Sequence, residues 1–259
     1  MISYPNINPN IVSFGPVHLR WYGLAYALGF IIGYLYIKKR FSRFHIKNLI
    51  DDAVFYAILG VIIGGRLGYV AIYNFTYYLH NPIDILYVWH GGMSFHGGLI
   101  GVILAGIIVA KKYKISFYKL ADEVVVIVPV GLFFGRIANF INDELWGRVT
   151  TVPWAVKFPS GGYLPRHPSQ IYEAIFEGFI LFVILRFLRD RYIQNKGFLF
   201  YMFILLYGIF RFFIEFTRQP DPQIGFIYGL TMGQWLCISM VIVALAGFSS
   251  VKKQWRKNE

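Results

Sequence analysis

The chain has 259 residues, 57% hydrophobic, 19% aromatic and 15% charged, against roughly 25% charged in soluble domains. With its charge gathered between long apolar runs, this composition excludes an ordinary water-soluble domain and points to an all-α polytopic membrane protein. One cysteine, Cys237, cannot build a disulfide scaffold, and the six histidines lack paired zinc spacing, so neither a metal nor a cofactor is expected.

In chain order, residues 1–18 carry Pro5, Pro9 and Pro16 but no Lys or Arg. They read as an outer-surface arm, because a cleavable signal would begin with a basic region. Seven apolar segments follow, at 19–37, 53–73, 92–110, 124–141, 171–185, 197–216 and 228–248. Each is predicted to be a transmembrane helix, the fifth needing extension to approach the roughly 20 residues that cross a bilayer. Together they define a seven-helix domain over 19–248. Between the fourth and fifth lies the longest polar stretch, 142–167, with Pro153, Pro159, Pro165 and the Gly161-Gly162 pair. It is predicted to form a small outer-face cap, in which TVPWAVKFP alternates well enough for a short strand or hairpin. Residues 249–259 form a basic tail.

The net charge of +12 would suit a nucleic-acid partner if it formed one surface. It does not. Basic residues cluster after alternate segments: Lys38, Lys39, Arg40, Arg43 and Lys47; Lys111, Lys112, Lys114 and Lys119; Arg186, Arg189, Arg191 and Lys196; and Lys252, Lys253, Arg256 and Lys257. The positive-inside rule makes that side cytoplasmic, with the N-terminus outside and the C-terminus inside. Gly60, Gly64 and Gly68, and the pairs Gly29/Gly33, Gly97/Gly101 and Gly131/Gly135, recur every four residues, a spacing that brings helix backbones close.

Three arginines resist this setting: Arg66, Arg136 and Arg211 lie within apolar segments, at about 2.5–3.5 kcal/mol each by insertion scales. Arg211 could pair with Glu215 one turn along. With Glu173, Glu177 and Glu215 the clear intramembrane acids, ion pairing is not expected to satisfy all three arginines. Tyr207, Arg211 and Glu215 share one helix face, as do Arg136 with Asn139, and Arg66 with Tyr69 and Tyr73. These stripes are expected to converge on a cavity in the outer leaflet, where a phospholipid headgroup is the natural anion. The third segment opens with HGGMSFHGGLIG, 90–101. Its His96 belongs to the residue type suited to proton transfer near neutral pH, whereas Ser94 lacks a nucleophile-elbow pattern.

FGRIANFINDELWGR (134–148) resembles the signature of the bacterial prolipoprotein diacylglyceryl transferase family. The similarity continues through LRWYGLAY (19–26), GGRLGY (64–69), GGMSFHGG (91–98), LPRHPSQIYE (164–173), YGIFRFFIEFTRQPD (207–221) and MGQ (232–234). It covers essentially the whole chain in the family's order. The resemblance implies an enzyme that moves the diacylglyceryl group of phosphatidylglycerol onto the thiol of a lipobox cysteine in preprolipoproteins, releasing glycerol phosphate. It implies a seven-helix fold in the bacterial inner membrane, with phosphatidylglycerol, preprolipoprotein signal peptides and membrane lipids as partners.

Carried over by motif, the functional residues would be His96, Arg136, Asn139, Glu144, Gly147, Tyr207, Arg211 and Glu215, with Tyr22 and Arg66. Arg136 and Arg211 would stabilise charge developing on the phosphate, with Asn139, Tyr22 and Arg66 at the headgroup. Glu144 and Glu215 would position the arginines, Tyr207 would line the site, and His96 or Arg211 would help ionise the thiol. Two positions depart from the family's usual glycines: Ala138 narrows backbone approach, and Asp143 would add negative charge near an anionic substrate. Arg20 stands where a histidine is common. A phospholipid transporter or flippase is the alternative; the absence of repeated halves speaks against it. Cys237 lies away from these motifs and reads as a packing residue.

Overall fold

A computed structural model describes the chain except for residues 1, 6, 15–16, 42–45, 47, 221–224 and 256–259. Pro16, Arg43, Lys47, Arg256 and Lys257, invoked above, lie outside the described residues. The chain forms two compact units, residues 1–36 with 122–259, and residues 37–121.

In the first unit, β2 (Asn10–Phe14) and β3 (Val17–Arg20) pair as an antiparallel hairpin, and α1 (Trp21–Phe41) begins at its end. The first apolar segment was expected to be helical from residue 19. Leu19 and Arg20 instead complete β3, opposite Val12 and Asn10. α5 (Phe117–Ile141) continues through Pro129. The fifth apolar segment is one continuous helical run: α6 (Ser169–Glu173), a π-helical stretch (Ala174–Ile180) and α7 (Leu181–Tyr192).

α8 (Phe198–Ile214) has an identifiable start signal. Gly197 precedes it at φ 87°, and Asp122 accepts from Gly197 N at 2.6 Å and Phe200 N at 2.8 Å. The carboxylate thus satisfies two amides that a helix N-terminus leaves unpaired. β5 (Phe226–Ile227) and β6 (Leu230–Thr231) form a two-residue ladder before α9 (Met232–Trp255). The helix therefore runs on into the stretch predicted as a tail. Val125, Val126, Leu181, Leu185 and Leu199, from α5, α7 and α8, form the buried centre.

The 142–167 stretch is not a hairpin of its own. Val156 and Lys157 form β4, which pairs in parallel with β1 (Ile2–Ser3). Single bridges join Arg166 to Val149 and Val156. Tyr4 ties the N-terminal arm to the end of α5, donating to Phe140 O (3.0 Å) and Ile141 O (2.7 Å).

In the second unit, α2 (Leu49–Tyr73) packs along α4 (Phe95–Lys112), with α3 (Phe75–His80) and two short 3-10 turns between them. Glycine makes this contact possible. A Cβ on Gly64 or Gly97 would overlap the other's carbonyl oxygen, as would one on Gly60 or Gly101. Helix occupies each of the seven apolar segments. Leu49–Tyr73, Phe95–Lys112, Phe117–Ile141 and Met232–Lys252 are long and apolar enough to cross a bilayer, and Phe198–Ile214 is apolar but shorter.

Candidate active site

In the first unit, helix α6 ends at Glu173, a carboxylate enclosed on every side. Its Oε2 lies 2.8 Å from Arg136 Nε and 2.7 Å from Arg211 Nη1, and its Oε1 accepts from Arg218 Nη1 at 2.7 Å. Glu177, within the π-helical stretch, accepts from Arg211 Nη1 at 3.2 Å. Such stretches recur at functional sites. Arg211 Nε and Arg218 Nε each lie 3.3 Å from Glu215 Oε2, as charge contacts without hydrogen-bond alignment. Ion pairing thus reaches Arg136 as well as Arg211, for which a pairing with Glu215 was expected to be possible, whereas Arg66 takes main-chain acceptors. Glu173 serves three arginines at once.

Exposure within the cluster is asymmetric. The Glu173 and Glu177 side chains are 0% exposed, while Arg136, Arg211 and Arg218 keep 20%, 16% and 19%. Among the described residues, no hydrogen bond or ion pair engages Nη2 of Arg136 or of Arg211. An approaching molecule therefore meets guanidinium edges with the carboxylates behind them. That arrangement suits a phosphate, whose oxygens can accept charge-assisted hydrogen bonds from the Nη2 groups of both arginines.

A second row supports Arg136. Its Nη1 donates to Asn139 Oδ1 at 3.4 Å, and Asn139 Nδ2 donates to Glu144 Oε1 at 2.7 Å. Glu144 therefore orients Asn139 and reaches Arg136 through it, while Glu173 contacts the arginines directly. Gln170 Nε2 donates to Glu144 O at 2.6 Å and Ser169 Oγ to Leu145 O at 3.0 Å, fixing the turn after α5.

Glu215 is held from α9. Thr231 Oγ1 donates to its Oε1 at 3.2 Å, and a Cβ on Gly233 would meet that oxygen at 2.7 Å. Tyr207 stacks on Phe203, with ring centroids 5.8 Å apart, one turn before Arg211. Tyr22 lies on the first turn of α1, 37% exposed.

Gly147 was expected to bind substrate. Its amide donates to His167 O at 2.9 Å, and a Cβ would meet His167 Cβ at 2.8 Å and overlap Thr217 O. Close backbone packing accounts for a glycine at this position. Burial holds the nearby His167 below the usual imidazole pKa. Asp143 sits at φ 55°, a left-handed conformation that glycine adopts freely and aspartate tolerates. Its carboxylate accepts from Ser160 N at 2.6 Å. The Ala138 methyl is buried.

Arg66 and His96 belong to the second unit. Arg66 is buried, and four main-chain carbonyls take its N–H groups: Ile85 (Nε, 2.9 Å), Asp84 (Nη2, 2.5 Å), and Gly91 and Gly92 (Nη1, 2.5 and 3.2 Å). With its donors so engaged, Arg66 has fewer left for a phosphate than Arg136 or Arg211. His96 is exposed on the first turn of α4. Ser94 is the cap of that helix, accepting from Gly97 N at 3.3 Å.

The residues that sequence reasoning passed over are Glu173, Glu177 and Arg218 as one cluster. Their signal was two acids four apart in an apolar segment, whose counter-charges lie on other helices.

The sequence matches the model of the family described as prolipoprotein diacylglyceryl transferase over residues 9–249. It is 51% identical over 249 residues to the phosphatidylglycerol–prolipoprotein diacylglyceryl transferase of Pasteurella multocida, covering 93% of this chain and 91% of the relative. Proteins of the same name from Geobacter sulfurreducens (48% identity; 94% and 95% covered) and Nitratidesulfovibrio vulgaris strain DP4 (46%; 95% and 95%) are similar over the same extent. The chain belongs to the prolipoprotein diacylglyceryl transferase family.

Proposed function

We propose that this bacterial membrane protein transfers the diacylglyceryl group of phosphatidylglycerol to the lipobox cysteine of preprolipoproteins, forming a thioether and releasing glycerol phosphate. Relatives that cover nearly the whole chain bear the name of that transferase, and they support it over lipid transport. The observation that carries the chemistry is the cluster on Glu173, in which Arg136 and Arg211 stay partly exposed and, among the described residues, keep Nη2 free of hydrogen bonds and ion pairs.

In this reading the cysteine loses its proton, and its sulfur attacks the diacylglyceryl carbon that bears the phosphate. The carbon–sulfur bond forms as the carbon–oxygen bond breaks, and the electron pair leaves with the phosphate. A phosphodiester thereby becomes a monoester and gains negative charge. Arg136 and Arg211 meet that growing charge, which favours the transition state over the bound lipid. Asn139 and Tyr22 orient the headgroup, Glu144 orients Asn139, Glu215 steadies Arg211, and Tyr207 lines the site. A free thiol has a pKa of about 8.5 and is mostly protonated at neutral pH. His96 is the proposed acceptor of its proton.

All seven helical segments within 19–248 would span the membrane, with residues 1–18 and the 142–167 cap outside. The basic stretch from 249 would lie in the cytoplasm.

Vesicles holding the protein, phosphatidylglycerol and a lipobox peptide test this by mass spectrometry of the peptide. The expected product is a diacylglyceryl adduct on sulfur. Arg136→Ala and Arg211→Lys should each lower the rate by at least about a hundredfold, because electrostatic donors of this kind contribute roughly that much. Folded variants within threefold of the parent would overturn the assignment.

A further inference from the structure

We infer that Arg66 is a positioning residue for His96, acting through the main chain that leads into α4. The inference rests on the reading of His96 as the thiol's proton acceptor.

The guanidinium of Arg66 ties together the two ends of the short stretch from Asp84 to Gly92. It holds Asp84 O and Ile85 O on one side and Gly91 O and Gly92 O on the other. It also lies over the Tyr78 ring, 5.2 Å from the centroid. Neighbouring residues of α2 continue the hold. Gly65 O accepts from Ser94 N at 2.8 Å, and Ser94 then caps α4.

The fit leaves no slack. Gly92, at φ +77°, faces the Tyr69 ring so closely that a Cβ would meet Cε1 at 2.6 Å, and a Cβ on Gly65 would meet Met93 Cε at 2.7 Å. The Gly64–Gly97 and Gly60–Gly101 contacts complete the match. His96 is thus exposed, while the backbone on both sides of it is set by α2. Only a planar fork can span both groups of carbonyls; an ammonium is a single point.

The test uses the full-length protein in phosphatidylglycerol vesicles with a lipobox peptide, comparing Arg66→Lys, Gly92→Ala, His96→Gln and the double variant R66K/H96Q. A small misplacement of a reacting group costs on the order of tenfold to a hundredfold in rate. Arg66→Lys should therefore lower kcat by about tenfold or more, with KM for phosphatidylglycerol within about twofold. Gly92→Ala keeps the arginine and should give the same pattern; it decides the matter if R66K does not fold. In the H96Q background, R66K should add less than about twofold, because coupled residues are not additive. A raised KM at unchanged kcat, or a full additional loss on top of H96Q, would overturn the inference while leaving His96 in its role. Parental kcat in H96Q would instead sink the reading of His96, and this inference with it.

Discussion

On Glu173, three guanidiniums gather around a carboxylate with no exposure, and two of them keep Nη2 unengaged among the described residues. Around Arg66, one guanidinium is ringed by four main-chain carbonyls. In the first arrangement charge answers charge, and cationic edges remain for a ligand. In the second, partial dipoles answer a full charge, and the side chain is consumed in shaping a loop. Arginine within an apolar helix therefore does not by itself mark a binding site. What separates ligand from scaffold is how many donors the protein has already used.

Glu173→Gln should have the largest effect. It strips the charge partner from Arg136, Arg211 and Arg218 together, and breaking a buried pair costs about 3–5 kcal/mol. The expected outcome is a sharply lower unfolding midpoint in detergent and loss of transferase activity. Glutamine behaving like the parent would show that the carboxylate is dispensable and erase the contrast with Arg66.

Gly101→Ala probes the other side of the comparison, where shape dominates. Its Cβ would fall on the Gly60 carbonyl, and overpacking of this kind costs roughly 1–3 kcal/mol. Its midpoint should fall by the same amount at low and high salt, because no charge is touched. The smallest effect is expected from Asp143→Gly, which lies outside both arrangements. It relieves a left-handed φ worth about 1–2 kcal/mol while removing the bond to Ser160, worth about 1 kcal/mol. It also frees the unfolded chain by about 0.4–1 kcal/mol. These nearly cancel, so thermal unfolding should place it within about 1 kcal/mol of the parent.

Much of this architecture was legible because apolar runs and helices obey the same length rule. The Tyr207–Arg211–Glu215 face followed from helical spacing alone. Glu173 as the hub did not, because its three arginines lie on α5, on α8 and just beyond α8, and spacing along one helix says nothing about partners across helices. Arg66 misled for a related reason. A buried arginine reads identically whether its acceptors are phosphate oxygens or backbone carbonyls, and the carbonyls of 84–92 have no signature in side-chain chemistry. The β2–β3 hairpin was missed because Leu19 and Arg20 abut an apolar run, which blurs the boundary between strand and helix. The fifth helix looked short because Arg186, Arg189, Asp190 and Arg191 end its apolar run, though the helix continues to Tyr192.

β1 carries a consequence for biosynthesis. Ile2 and Ser3 pair with Val156 and Lys157, Ile2 N donating to Ala155 O, and Tyr4 anchors on α5. These residues leave the ribosome long before the segments that receive them, and non-local pairings form late. β1 must wait for its strand partner until more than half the polypeptide has been made, and α6 to α9 of the same unit follow it.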